Sequence, residues 1–585
     1  MTRGRLTVAG SGAGAGAWAG PVADASAAGA ARPGAGAGAP RRVVIVGAGM
    51  AAARLAEELR AGQPDPAALE VTVLGAEPDE PYNRIMLSHA VAEGGANAGG
   101  ATVSGANAGG AREGGAAGSR ADGAAMSAVA RLKPTGWWER SAVELRTSAQ
   151  VIAIDRAARE VMLADGSRVA YDHLVLATGA QPRIPPIAGI RVERAESVGP
   201  DGAEPDCAGM DSAGQDGAAL APGAFTLRDA ADGRALTVHL AATPGPVAVV
   251  GGGFIGLEVA CALAAAGREV TVVHPRDRPM NGVLDAGAGA VLVRALAALG
   301  IRVRTRVRAT VWDGRGLVLD DDDVVVASTV VLTAGQAARA DLARDAGLEV
   351  GDGIVVDDEL ATSDPAISAI GDCAEHRGSV GGLVAPAWEQ ATVLAARLTG
   401  GDPGARYVGA TQVTRLKAFG LDVVALGELA LGELAAGEIG GVGAGGENEC
   451  DCCRVESTTI SEPARGRYAR VDVAGGKVVG AVLVGHPEPV GTLTQLYESA
   501  LPVPDDVVSV ILGRAEAVSA ATPATMPAAA VVCRCNGVSK SDLVAAWGDG
   551  ARDQAGLAER TRAGTGCGGC ASAVEGICGW LRDAS

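Results

Sequence analysis

One local pattern occurs twice, as Arg42-Val43-Val44-Ile45-Val46-Gly47-Ala48-Gly49-Met50-Ala51-Ala52 and as Val247-Ala248-Val249-Val250-Gly251-Gly252-Gly253-Phe254-Ile255-Gly256. Each is an aliphatic strand, a glycine turn and the start of a helix. Gly47 and Gly251 permit the tight turn. Gly49 and Gly253 let the backbone approach a pyrophosphate, and Ala52 and Gly256 keep the helix close to the sheet. The helix N-terminus adds free N–H groups and a positive dipole. A single fingerprint of this kind is weak. Two, each followed by a helix (Met50 to Arg60, Ile255 to Ala266) and another short strand (Val71–Leu74, Glu269–Val273), predict an α/β body of parallel sheets with two dinucleotide sites.

The chain has 585 residues, room for several domains, and a net charge of −18. No basic surface is left to neutralise phosphates, which excludes nucleic-acid binding. Gly/Ala-rich stretches at about 92–128, 198–223 and 428–449 interrupt the patterned sequence and predict surface insertions. Residues 1–40 have the same character and predict a disordered leader, and 515–530 predict a tether that lets the last domain move. Leu6 to Ala23 lacks charge but is too Gly-rich to hold a helix in lipid, so no membrane span and a cytoplasmic location are expected.

A carboxylate after the second strand of such a unit binds ribose hydroxyls. After Leu74 the candidates are Glu77 and, failing it, Asp79. After Val273 the chain reads His274-Pro275-Arg276-Asp277: the expected acid is absent and a cation stands close by, which leaves NADH and NADPH both open.

Eleven cysteines are judged in a reducing compartment, where close pairs favour metals or redox chemistry over structural disulfides. Cys533-Arg534-Cys535 and Cys567-Gly568-Gly569-Cys570 offer four thiolates. An iron–sulfur centre and a tetrathiolate zinc site both use such ligands. Arg534, Lys540, Arg560 and Arg562 offset the charge of an anionic cluster. Cys578, in helical register with Val574, Ile577 and Leu581, and Cys373 read as packing residues. Cys207 and Cys261 have no partner in the sequence, and Cys450, Cys452 and Cys453 lack a fourth ligand.

Three motifs in order carry a resemblance. After the first fingerprint come Leu174-Val175-Leu176-Ala177-Thr178-Gly179 and Ala369-Ile370-Gly371-Asp372-Cys373, which resemble the strands closing the FAD site in the glutathione-reductase-like superfamily. The resemblance implies FAD on Gly47, Gly49, Ala52, Glu77, Ala177, Thr178, Gly179, Gly371 and Asp372. It implies NAD(P)H on Gly251, Gly253, Gly256, His274, Arg276 and Gly335. Glu258, in the first turn of the second helix, matches a position near the flavin–nicotinamide stack, where a helix-dipole role is the alternative. The first helix carries no cysteine pair, so thiol–disulfide chemistry at the flavin is not expected.

Glu80-Pro81-Tyr82-Asn83-Arg84-Ile85-Met86-Leu87-Ser88, Gly371 to Gly378, Gly382 to Gln390, Thr414 to Lys417 and Gly491 to Tyr497 narrow the match. They resemble the large subunit of NAD(P)H-dependent nitrite reductase and the electron-transfer subunit of assimilatory nitrate reductase, over about residues 41–515. Arg84, Glu258 and Trp388 are thereby candidate catalytic residues, and Ser88 a cofactor contact. His89 and His376 fall near the same motifs and are expected to be structural. Residues 531–581 resemble bacterioferritin-associated ferredoxin, which implies a [2Fe-2S] cluster on Cys533, Cys535, Cys567 and Cys570.

The expected architecture is a two-nucleotide flavoprotein fold with Rossmann-type FAD and NAD(P) domains, an α+β C-terminal domain and a small helical [2Fe-2S] domain. Its divisions are an FAD domain at 41–243 and 334–404, an NAD(P) domain at 244–333, an α+β domain at 405–514 and a cluster domain at 531–585. The sirohaem-type pairing of Cys-x5-Cys with a later Cys-x3-Cys is absent from these residues. The expected function is therefore an NAD(P)H-dependent FAD/[2Fe-2S] reductase. It supplies electrons to a nitrate or nitrite reductase catalytic subunit without reducing nitrite itself. Alternatives are a reductase of small carriers (ferredoxin or rubredoxin) and a redox sensor.

Overall fold

The structure is a computed structural model that describes residues 40–88, 91, 131–192, 219–410, 413–416, 418, 420–427, 429, 455–514, 523–533, 536–564 and 570–584. The first fingerprint opens a five-stranded parallel sheet. Its strand Arg41–Val46 lies between Leu69–Leu74 and His173–Leu176, with Val143–Arg146 and Ile367–Ala369 at the edges. Val43, Val44, Ile45 and Val46 are all buried. A parallel strand covered on both faces demands that, and it explains why the run does not alternate with polar residues.

Helix Met50–Gly62 lies on this sheet with its small residues Ala52, Ala53 and Ala56 buried beside Leu55 and Leu59. Fully burying a leucine such as Leu59 contributes about 1.5–3 kcal/mol. Helix Val384–Thr399 packs against the same helix, so a segment far along the chain returns to complete the first domain.

The second fingerprint builds a matching parallel sheet in the order Ala224–Thr226, Thr329–Leu332, Val247–Val250, Val270–His274, Ile301–Thr305. Helix Phe254–Ala265 follows its glycine turn and ends before Gly267, whose φ of +81° suits glycine. A five-stranded antiparallel sheet with helix Val490–Glu498 forms the next unit. Its Tyr468 hydroxyl donates to Asp285 Oδ2 at 2.6 Å and Arg470 pairs with the same carboxylate at 3.2 Å. Asp285 also caps helix Ala286–Ala298, which fastens the antiparallel unit to the second sheet.

The last unit is a small hairpin, Val531–Cys533 with Val538–Ser539, and helices Lys540–Gly548, Gln554–Thr561 and Ala571–Asp583. Ser539 and Asp542 form a capping box at its first helix.

Two sequence expectations change. The insertion expected to reach residue 223 ends earlier, because Ala219–Leu220 pairs antiparallel with Arg191–Val192. The stretch expected to be a free tether to residue 530 is fastened over 523–530. Lys540 Nζ donates to the Met526 carbonyl at 2.8 Å, the Lys540 and Ser541 amides donate to Ala530 and Ala528, and Met526 packs on the last unit's core. Among the described residues no helix is long and apolar enough to cross a membrane.

Candidate functional site

Both glycine turns stand at the carboxyl ends of their central strands, where open α/β sheets bind ligands. They face one cavity of about 2540 Å³. At the first turn Gly47 has φ +108°, and a Cβ there would lie 2.2 Å from the Ala177 carbonyl oxygen. A Cβ at Gly49 meets nothing within 4 Å, so that side of the turn is open space. Gly49 caps helix Met50–Gly62 without a side-chain hydrogen bond, and the helix has no acid in its first turn. Its terminal N–H groups are left for an anion.

The second turn repeats this geometry. Gly251 has φ +121°, with a notional Cβ 2.3 Å from the Thr333 carbonyl oxygen, while Gly253 faces open space. A Cβ at Gly256 would come within 2.0 Å of the Gly251 carbonyl oxygen. Gly256 and Ala52 are thus close-packing positions and do not line the cavity.

Around the first cradle, Ala177, Thr178, Gly179, Gly371, Asp372, Glu77, Ser88 and Arg84 all line the cavity. The Gly371 amide donates to Gln390 Oε1 at 2.7 Å, and Asp372 Oδ2 accepts from Arg228 at 2.7 Å. Arg228 also donates to the Ala180 carbonyl and to Gln336 Oε1. Glu77 accepts from the Tyr82 hydroxyl at 2.6 Å and from the Arg84 guanidinium. Burial raises the Tyr82 hydroxyl well above its ordinary value, so it stays protonated and donating. Burial works to lower Arg84, the Glu77 and Asp229 carboxylates work to raise it, and the net shift is upward. Asp79, the fallback acid, is paired with Arg234 at 3.0 Å.

At the second cradle, His274, Arg276, Glu258 and Gly335 line the cavity. His274 Nδ1 accepts from the Gly252 amide at 3.1 Å, and Nε2 faces Asn281 Oδ1 at 3.2 Å. Burial lowers the ring's pKa. The histidine is a neutral brace for the turn, with both nitrogens engaged. Ser88 donates to Glu258 Oε2 at 3.3 Å, a bond from the first half to the second.

The last unit closes one end of the same cavity: Met526, Pro527, Ala530, Val531, Val532, Cys570 and Ala573 line it. Ile85 packs on that unit's core, and the Asn83 amide reaches Asn536 Oδ1 at 3.5 Å. Asn536 in turn donates to the Arg562 carbonyl at 2.6 Å and approaches Cys533 Sγ at 3.8 Å. Trp388, expected at the reacting surface, does not line the cavity. It sits beneath Arg54, 5.8 Å from guanidinium to ring, and against Gly537, where a Cβ would come within 2.8 Å of the indole. The physical reason is its place on helix Val384–Thr399, where Ala387 faces the cavity and Trp388 turns toward the last unit.

Cys533 and Cys570 are buried in one core with Cys578. Cys535 and Cys567 lie outside the described residues, as do His89, Cys207, Cys450, Cys452 and Cys453. Cys373 donates to the Leu176 and Ile370 carbonyls. Burial pushes Cys261 up to about 12. His376 bonds Asp358 at 2.9 Å, packs on Tyr407 and does not line the cavity. The sequence reading missed Arg228 and Arg339, both cavity-lining. Arg228 lies 144 positions from the Asp372 it holds, and no local motif announces such a pair.

Residues 41–392 match the pyridine nucleotide-disulphide oxidoreductase family, and residues 531–579 match the BFD-like [2Fe-2S] binding domain. The chain belongs to that oxidoreductase family: it is an NAD(P)H-dependent FAD oxidoreductase with a [2Fe-2S] domain. It is 33% identical over 443 residues to the nitrite reductase [NAD(P)H] large subunit of Klebsiella oxytoca, covering 74% of this chain and 41% of that one. It is 27% identical over 546 residues to the assimilatory nitrate reductase electron transfer subunit of Bacillus subtilis (strain 168), covering 92% of this chain and 59% of that one. The chain thus spans about two-fifths to three-fifths of these relatives. A solved ferredoxin reductase for the CYP199A2 system of Rhodopseudomonas palustris is 26% identical, with a TM-score of 0.58, covering 79% of this chain and 95% of that one.

Proposed function

We propose that this chain oxidises NAD(P)H in the cytoplasm and delivers the electrons, through its FAD and its own cluster, to a separate catalytic subunit that reduces nitrate or nitrite. The observation that carries the reading is that Cys570 lines the same cavity as Gly47, Asp372 and Gly253. A cysteine expected to ligate the cluster thus lies on the same cavity as both glycine turns, which supports the reading. The relatives from nitrite and assimilatory nitrate reduction supply the choice of acceptor.

Bound here, FAD would supply hydride acceptance from the nicotinamide and single-electron release to a [2Fe-2S] centre. The protein's part is placement. Open turns at Gly49 and Gly253 would hold the pyrophosphates, while Arg228 fixes Asp372, and Arg84 with Tyr82 fixes Glu77. Ser88 and Glu258 tie the two cradles together. Trp388, Arg54, Ile85 and Asn83 seat the cluster domain.

The test is Cys567→Ser in the full chain. NAD(P)H should still reduce a dye that draws directly on the flavin, while reduction of a purified nitrate or nitrite reductase subunit is lost. Loss of both activities contradicts the relay. Wild-type protein that reduces ferredoxins or rubredoxins as fast as any nitrogen-cycle enzyme points instead to a general carrier reductase. The similarity to a ferredoxin reductase favours that second reading.

A further inference from the structure

We infer that the adenosine end of the second cradle is built for a 2′-phosphate, so that this chain takes NADPH in preference to NADH, with Arg276 and Arg308 as the selecting residues. The inference rests on the reading that the second cradle holds the pyridine nucleotide.

Strands Val270–His274 and Ile301–Thr305 are parallel neighbours, and His274 stands in register with Thr305. The segments leaving both strands therefore emerge side by side, next to the glycine turn. The Arg306 amide donates to the Arg276 carbonyl at 2.8 Å and the Val307 amide to the His274 carbonyl at 3.4 Å. Arg306 has φ +60°, a left-handed turn that brings the chain round to Arg308. Arg276 and Arg308 both line the cavity.

A site for NADH needs a carboxylate here to accept from the ribose hydroxyls. His274 occupies the strand end, and both its nitrogens are committed, one to the Gly252 amide and one to Asn281. Asp277 pairs with Arg278 at 2.5 Å and does not line the cavity. Asp320 does line it, with Oδ1 accepting from the Arg308 amide at 2.9 Å.

Those two cations differ from three other arginines of these strands and turns. Arg278, Arg302 and Arg304 each pair with an acid. Neither Arg276 nor Arg308 has a side-chain carboxylate partner among the described residues. A ribose 2′-phosphate carries nearly two negative charges at neutral pH and three acceptor oxygens. Two unpaired guanidinium groups at the ribose end supply donors in the planar fork that binds such a group.

The experiment compares NADPH with NADH in anaerobic flavin reduction by the full-length holoprotein, and 2′,5′-ADP with 5′-ADP in calorimetric binding. Wild-type protein should favour the phosphorylated member of each pair about tenfold or more, the scale of one good charge-assisted contact. Arg276→Ala and Arg308→Ala should each shrink that ratio, and the double variant should abolish it. Flavin content is checked in every variant. Equal use of the two nucleotides, a preference for NADH, or a preference that survives in the double variant overturns the inference. If neither nucleotide reduces the flavin, the proposed relay fails, while the comparison of 2′,5′-ADP with 5′-ADP still decides this inference.

Discussion

The two cradles are alike where they meet a pyrophosphate and opposite where they meet a ribose. Gly47 and Gly251 have φ of +108° and +121°, each presses against a carbonyl of the neighbouring strand, and Gly49 and Gly253 each face open space. Backbone geometry alone makes both phosphate sites. Beyond the second strand the halves part. The first offers Glu77, held by Tyr82 and Arg84. The second offers a neutral histidine with two arginines nearby that have no carboxylate partner among the described residues. A duplicated strand–turn–helix unit thus fixes what kind of molecule binds, and a few side chains at the strand ends fix which one.

The largest expected effect comes from breaking each cradle separately. Gly47→Ala and Gly251→Ala place a Cβ within 2.3 Å of a carbonyl oxygen at a backbone angle that side chains avoid. Strain and overpacking together cost about 3 kcal/mol or more. Gly47→Ala should yield protein without flavin. Gly251→Ala should keep its flavin, visible in the absorption spectrum, yet fail to bleach with NADPH or NADH. If both variants lose flavin equally, the two cradles are not separate sites.

A smaller effect tests the ribose ends. Glu77→Ala removes the acceptor shared by Tyr82 and Arg84 and leaves Arg84 without its carboxylate. Loss of one charge-assisted bond, about 1.5–3 kcal/mol, should weaken flavin retention roughly tenfold or more. The measurement is the dissociation constant for FAD by fluorescence quenching. The preference between NADPH and NADH should not change, because Glu77 stands at the other cradle. A changed nucleotide preference would mean that the division of labour between the halves is wrong.

Much of this was legible in the sequence because it is local. The glycine turns, the strands beside them, the Gly371-Asp372 turn and the cysteine pairs are each written within a dozen residues. What was not legible depends on contacts between distant segments. Arg228 reaches Asp372 only because strand Ala224–Thr226 lies at the edge of the second sheet and delivers the next residues to the first. Trp388 reads as a candidate catalytic residue from its motif, but helical register turns it toward Gly537. Arg308 gains meaning only from the pairing of His274 with Thr305. Residues 523–530 read as tether by composition, yet their carbonyls satisfy donors of the cluster domain.

The subtlest test concerns the joint between the halves. Asp232 accepts from the Thr226 hydroxyl and the Arg228 amide, both at 2.8 Å, just where the second sheet hands over to the arginine that holds Asp372. Burial, reinforced by Asp229, pushes its carboxyl up to about 6. The folded state therefore holds this proton more tightly than the unfolded state, whose carboxyl titrates near 3.9. That contribution is complete below the unfolded value and is lost as pH rises through about 6, since stability falls with pH wherever the folded form binds more protons. Asp232→Asn keeps an acceptor for both donors and cannot ionise. Its melting temperature relative to wild type should rise by a few degrees between pH 4 and pH 7. A gap that stays flat across that window would mean the carboxylate is already charged at pH 4 and the joint is held by a conventional acid.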